Sequence, residues 1–184
     1  MQPAEPASET QCSTSSVYPH ASSGVESPPK SCCEPPEVGI IDVNDALSRG
    51  LVIIRHTGTS KGFGVYAAVH MSENTWLGDY IGEVLTQEEY LARYPNEDAS
   101  YVLGCNEDYN IDAVNPAKSS FLRFLNHAPT PIANTFYEII RKRKQRHKIV
   151  KFYTGRDVQE GEELTFDYGV RYWADRGLPP LVEP

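Results

Sequence analysis

The apolar residues of this chain gather in short runs of strand length, broken by glycine, proline and charged residues. "LVIIRHT" (51–57) is rich in β-branched residues and predicts a strand. "GTSKGFGVYAAVHM" (58–71) reads as a glycine-broken loop leading into a second strand, and "TWLGDYIGEVL" (75–85) as strand, turn, strand. "TQEEYLARYP" (86–95) is the best helix candidate: Thr86 suits an N-cap, Glu88 and Glu89 fall in the first turn, and Pro95 stops it. "SYVLGC" and "YNIDAV" pattern as a short hairpin pair, and "SSFLRFLNHA" (119–128) as a buried helical turn. Residues 134–158 read as two strands around a basic turn, and "EGEELTFDYG" closes the body. In an extended segment Phe166 and Tyr168 share one side and Asp167 faces the other. Many short strands with one or two helices predict a mainly β, irregular α+β fold.

Composition divides the chain. Residues 1–37 are rich in Ser, Pro and Glu and nearly free of large apolar side chains, so they cannot bury enough surface to offset their ordering entropy. They are expected to be disordered, with an ordered body over 38–173 and an extension over 174–184. The length of 184 residues suits one domain plus a tail. No stretch approaches the roughly 18 apolar residues of a membrane span, and the N-terminus lacks the basic and apolar regions of a Sec-type signal. Cys12, Cys32 and Cys33 lie in the tail and Cys105 in the body, which is neither a disulfide framework nor a zinc spacing and suits a reducing compartment. Cys32 and Cys33 are acylation or metal candidates, or a plain pair of tail thiols.

The net charge of −8 is unevenly spread. The run "RKRKQRHK" (141–148) holds six of the 17 Lys and Arg residues and no acid. Outside that run and the tail, twenty acids face ten basic residues, a balance that attracts a basic substrate. The basic run is a candidate for nucleic acid contact or a nuclear address, and equally for a solvated hairpin tip.

Four stretches are candidates for chemistry. In "KGFGVYA" (61–67) two glycines flank Phe63 and permit close backbone approach to a ligand, although a tight turn explains them too. "GDYIGEV" (78–84) sets Tyr80 between glycines, as a core or a site tyrosine. "RFLNHAP" (123–129) offers Asn126 and His127 as paired donors and acceptors, or as a satisfied turn. The fourth is "EELTFDYGVRYW" (162–173).

Taken in order, Gly-Phe-Gly, Asp-Tyr-Ile-Gly-Glu, Arg-Phe-Leu-Asn-His and Gly-Glu-Glu-Leu-Thr-Phe-Asp-Tyr-Gly resemble the SET-domain lysine methyltransferases. The resemblance spans about residues 50–173 and is most specific in "RFLNH" and "ELTFDYG". It implies small curved sheets and a pseudoknot in which the Asn-His segment is threaded by the strand before Tyr168. It implies S-adenosylmethionine as methyl donor and a protein lysine, on a histone tail or another protein, as acceptor. An inactive module that binds a partner through the same fold is the non-enzymatic alternative.

By position, the resemblance assigns Lys61, Gly62, Phe63 and Gly64 to the cofactor, with Tyr80 close to it. Asn126 meets the methionine part and His127 the adenine. Tyr168 is the active-site tyrosine and, with Trp173, also meets the cofactor, Tyr101 is a second tyrosine of the lysine channel, and Arg123 and Asp112 are structural. Phe166 helps set how many methyl groups are added. Lacking a hydroxyl, it predicts di- or trimethylation, and Phe166→Tyr is expected to shift products toward monomethyl.

The chain departs from the family in lacking cysteine clusters before or after the domain, so no zinc is expected. Tyr172 or Trp173 is then the candidate to close the site, with Trp173 equally a core anchor. Localisation follows as nuclear; a cytoplasmic protein and an effector delivered into a host are the alternatives.

Overall fold

The computed structural model describes residues 36–95, 99–105, 109–141, 148–174 and 177. The expected tail over 1–37, with Cys12, Cys32 and Cys33, lies almost wholly outside the described residues. So do residues 142–147 of the basic run and most of 174–184.

Apart from β7 and α2, the elements follow the order that the sequence predicts. In chain order they are β1 (Val52–His56), β2 (Phe63–Ala67), β3 (Trp76–Asp79), β4 (Glu83–Thr86), α1 (Gln87–Arg93), β5 (Val102–Gly104) and β6 (Tyr109–Asp112). Then come β7 (Asn126–His127), β8 (Thr135–Ile140), β9 (Ile149–Thr154), β10 (Glu163–Phe166) and α2 (Val170–Ala174). The strands form three small sheets, ordered β1-β2-β10-β7, β3-β9-β8 and β4-β6-β5. No described helix is long and apolar enough to cross a membrane.

Period-two alternation builds the sheets. In β9, Val150, Phe152 and Thr154 are buried, while Ile149, Lys151 and Tyr153 between them are half-buried on the other face. α1 buries none of its residues, so its ends and ion pairs hold it. Thr86 and Glu89 form a reciprocal capping box, with Glu89 N–H donating to Thr86 Oγ1 at 3.2 Å and Thr86 N–H to Glu89 Oε2 at 2.7 Å. At the other end Arg93 donates to Glu83 at 3.0 Å and to the buried Asp112 at 2.9 Å, as expected of a structural Asp112.

The buried turn at 119–128 is a 3-10 helix over Phe121–Phe124, and Phe121 and Leu122 are fully enclosed. They meet a core that includes Leu77, Phe152, Val65 and Leu164. Ser119 and Ser120 are buried beside this helix, where the Ser119 hydroxyl donates to the Asn115 carbonyl at 2.8 Å and Ser120 Oγ accepts from Ile81 N–H at 3.2 Å.

Immediately afterwards Asn126 and His127 leave the helical turn and pair parallel with Thr165 and Phe166. β10 thus lies between β2, its antiparallel neighbour, and β7. The chain beyond β7 then returns past β10. Asn134 Nδ2 donates to the Glu163 carbonyl at 2.8 Å, Asn134 Oδ1 accepts from Thr165 N–H at 2.9 Å, and the Thr135 hydroxyl donates to the Thr165 carbonyl at 2.8 Å. Segment 126–135 therefore grips β10 through backbone at one end and side chains at the other. A two-residue strand is too short to stand out in a hydrophobic pattern, and the sequence shows it as part of a helical turn.

Candidate active site

The interlock of β7 and β10 opens onto a cleft of about 830 Å³, within the usual range for a small-molecule site. Lys61, Tyr80, Tyr101, Asn126, His127, Phe166, Tyr168 and Trp173 all line it. Eight positions separated by more than a hundred residues are thus brought to one place. Gly62, Phe63 and Gly64 sit beside that wall and support it. Gly62 has φ of 74°, the left-handed conformation glycine adopts without strain, and its carbonyl accepts the Thr57 amide at 2.7 Å. A Cβ on Gly64 would lie 2.6 Å from Glu163 Oε1 and 3.1 Å from Asn126 Nδ2.

Asn126 is fixed from both sides. Its Nδ2 donates to the Phe63 carbonyl at 3.2 Å and to Glu163 Oε1 at 2.8 Å. The Gly-Phe-Gly turn and the Asn-His segment are therefore joined by one amide. His127 Nδ1 accepts the Tyr168 amide at 3.2 Å, which fixes that nitrogen as the unprotonated one. Asp167 lies beside the His127 ring, with Oδ1 3.8 Å from Nδ1, and ties the ends of the interlock: its carboxylate accepts Thr130 N–H at 3.0 Å and Gly169 N–H at 2.8 Å. Burial opposes charge on Asp167, but these donated hydrogen bonds outweigh it and hold the carboxyl below the usual range.

Phe166 and Tyr168 do share a side, with ring centroids 4.7 Å apart. Phe166 is buried against Phe152 at 5.0 Å. Two of the cleft's phenols give their protons to backbone carbonyls: Tyr168 to Leu125 at 2.7 Å, and Tyr80 to Tyr101 at 3.0 Å. Burial, aided by the neighbouring Tyr168, pushes the Tyr80 phenol far above its ordinary pKa, so it stays protonated. Tyr101 has φ of 65° and an exposed ring covered by the Arg123 guanidinium at 4.0 Å, while Arg123 also donates to the Val114 carbonyl at 3.1 Å. Arg123 thus braces the Tyr101 ring as well as a loop.

The C-terminal wall is α2, a helix the sequence pattern did not reveal. Trp173 is buried on the edge of His127 at 4.8 Å and near-parallel to Tyr168 at 6.5 Å, and Tyr172 meets Tyr168 at 4.6 Å. Its neighbours are the site's own rings rather than the central core. Trp173 Nε1 is buried with no partner among the described residues. Sequence reasoning also missed Tyr137 and Cys105 as lining residues. The alternation of β8 was the available signal for Tyr137. Burial pushes the Cys105 thiol up to about 12, so it is a small apolar wall group and not a nucleophile.

The sequence profile of the SET domain matches residues 62–169. The histone-lysine N-methyltransferase SUVR5 of Arabidopsis thaliana is 34% identical over 128 residues, covering 61% of this chain and 9% of that protein. The histone-lysine N-methyltransferase SUV39H1 of Xenopus laevis is 29% identical over 150 residues, covering 77% of this chain and 34% of its own. The chain thus spans about a third or less of the length of these relatives. Among solved structures, "ctPRC2 in an autoinhibited conformation bound to S-adenosylmethionine" is similar with a TM-score of 0.56 and 26% identity, covering 67% of this chain and 16% of that one. The matched span starts at the head of β2 and ends just past the paired rings, enclosing the whole interlock and more than half of the chain, and the chain belongs to the SET domain family.

Proposed function

We propose that the cleft transfers a methyl group from S-adenosylmethionine to a protein lysine, on a histone tail. The commitment of both phenol protons, Tyr168 to Leu125 and Tyr80 to Tyr101, carries this reading. Each hydroxyl has only oxygen lone pairs left to offer. An acceptor-only pair suits an amine N–H and a cationic centre and has nothing to give a carboxylate or phosphate.

The residues present fit the cofactor. The buried Trp173 Nε1 has a proton to donate and no described partner. Lys61 suits a carboxylate, Asn126 Oδ1 suits an ammonium because both amide protons are already given to Phe63 and Glu163, and the His127 and Trp173 rings suit a purine. When bound, S-adenosylmethionine supplies an electrophilic methyl group whose bonding pair stays on sulfur as a thioether.

The chain's own task is to deliver a neutral amine in line with that methyl. A free lysine has a pKa near 10.4 and is mostly charged at neutral pH. Enclosure between Phe166, Tyr101 and Tyr168 removes water and favours the neutral form, and the proton leaves to solvent before transfer. The Tyr168 oxygen then accepts an amine N–H and turns the nitrogen lone pair. Alignment of this kind contributes about 7–11 kcal/mol to rate. The ring faces receive the methylammonium product. Phe166 leaves room for more than one round.

A histone acceptor is supported by the acidic balance of the body and by the named activity of the relatives. A nuclear location goes with that acceptor. We assign the basic run at 141–148, on its charge, to contact with nucleic acid phosphates.

The test is methylation with labelled S-adenosylmethionine on whole core histones and on lysate. Label on a histone lysine, lost in Tyr168→Phe, is the expected result. Label on other proteins alone removes the histone assignment. No transfer, with no cofactor binding by calorimetry, leaves the interaction module.

A further inference from the structure

One buried amide of the cleft takes no part in the chemistry derived so far. In β6, period-two alternation turns Ile111 into the core and puts Asn110 and Asp112 on the opposite face, against α1. Asp112 is bound there by Arg93 and Tyr94. Asn110 is buried, and its Nδ2 donates to Oε1 of Gln87, the first residue of α1, at 3.1 Å. The amide is thereby held in one orientation. Its Oδ1 is left as an acceptor and accepts nothing from any described residue.

The residue opposite opens that oxygen to the cleft. The partner of Asn110 in β5 is Gly104, and both line the cleft. A Cβ on Gly104 would lie 3.5 Å from Asn110 Oδ1 and within 4 Å of nothing else. The bare backbone therefore leaves a slot with an acceptor at its end. Gly104 lies three residues beyond Tyr101, so the slot is no more than about 11 Å along the chain from the channel. An extended peptide crosses that distance in three residues or fewer.

We propose that Asn110 reads the sequence around the target lysine: through the slot at Gly104, its Oδ1 accepts a hydrogen bond from an uncharged side-chain donor, a hydroxyl or a carboxamide, within three residues of that lysine. The inference rests on the reading of the cleft as a lysine-methylating site.

The preference for an uncharged donor follows from the surroundings. A guanidinium or ammonium brought to a buried acceptor gives up water and needs a carboxylate in exchange. Among the described residues the cleft is lined by the cations Lys61, Arg123 and Arg171 and by no carboxylate. A carboxylate side chain on the substrate has no proton to give. A hydroxyl or carboxamide costs less to strip of water and supplies the proton. An apolar side chain of the same size shuts Oδ1 from water and leaves it without a partner, so it is selected against.

The experiment uses the full chain, S-adenosylmethionine labelled in its methyl group, and a peptide library with one central lysine. Each library member fixes one residue type at one of the three positions on either side. At one of these positions Ser, Thr, Asn and Gln should exceed Ala, Val, Leu, Glu and Arg about tenfold in kcat/KM, the size of one hydrogen bond. Gly104→Ala fits the strand and covers Oδ1, and should bring that ratio close to one without changing the preferences at the other positions. Asn110→Asp makes the acceptor a charged one, which the Gln87 amide can still meet by turning over, and should move the same position toward Arg. A purely structural Asn110 would instead slow transfer to every peptide alike.

A wild type with no preference at any flanking position, or with a preference for Arg, overturns the inference and leaves the methyltransferase standing. A folded, active Gly104→Ala with the wild-type preference does the same, and it decides the matter where Asn110→Asp does not fold. A wild type that neither binds cofactor nor transfers methyl overturns both.

Discussion

The hydroxyl of Tyr168 donates to the carbonyl of Leu125 at 2.7 Å, so one hydrogen bond both orients the phenol in the cleft and fastens the interlock. Leu125 is fully buried and sits just before β7, while Tyr168 sits just after β10. Tyr168→Phe therefore has two effects. The Leu125 carbonyl loses its donor in a buried place, and stability to urea should fall by about 1–2 kcal/mol. The amine loses its acceptor, and single-turnover transfer should fall about 10²-fold. Cofactor affinity, which we assign to Lys61, Asn126, His127 and Trp173, should fall much less than the transfer rate. A variant with wild-type stability would show that the Leu125 carbonyl is satisfied elsewhere.

The strands were legible because each carries its own alternation, as in β9, where a single face is buried. α1 was legible because Thr86, Glu89 and Pro95 mark its ends in local chemistry. The interlock was not legible in that way. β7 has two residues, and its partner lies some forty positions away, so no local period reports it. Its presence came through the family resemblance of "RFLNH" and "ELTFDYG". α2 escaped because five residues give too little period, and its exposed Val170 breaks the pattern. Tyr137 escaped for another reason. Alternation puts it on an inner face, but the face becomes a cleft wall only once β8 packs beside β10.

Gly64 tests the joint between the Gly-Phe-Gly turn and the Asn-His segment. An added Cβ would press on Glu163 Oε1, the atom that accepts from Asn126 at 2.8 Å. Glu163 is a flexible side chain and can swing away, so the fold should survive. The Asn126 amide would lose an acceptor and its fixed orientation. Gly64→Ala is expected to weaken S-adenosylmethionine binding about tenfold by calorimetry, the scale of one hydrogen bond to a charged group. Thermal stability should change little. A large fall in melting temperature with unchanged affinity would assign Gly64 to packing alone.

Asp167 gives the site a dependence on acid. Its carboxyl is held below the usual range by the hydrogen bonds from Thr130 and Gly169, although burial pulls the other way. A carboxyl whose folded pKa is depressed adds stability above its unfolded pKa, and that stability is lost as pH falls through the folded value. Melting temperatures of the wild type and Asp167→Asn should differ most above the ordinary carboxyl range and converge as pH falls through the lowered folded value. A difference that persists in acid would mean that the carboxylate charge is not what ties these loops.

Trp173 separates a site wall from a core anchor. Its ring is buried, but the partners are His127, Tyr168 and Tyr172 rather than Phe121, Leu122 or Phe152. An aromatic anchor in a packed core costs about 3–5 kcal/mol on truncation to alanine. A ring that closes one side of a cleft costs less, because water can take its place. Trp173→Ala should lower stability by about 1–2 kcal/mol and weaken cofactor binding about tenfold, since the buried Nε1 donor and one ring face go together. Trp173→Phe keeps a ring and loses the donor, and should recover stability more fully than affinity. Urea unfolding and calorimetry on both variants decide between the roles. A stability loss near the core value with unchanged affinity would make Trp173 an anchor and leave Tyr172 as the ring that closes the site.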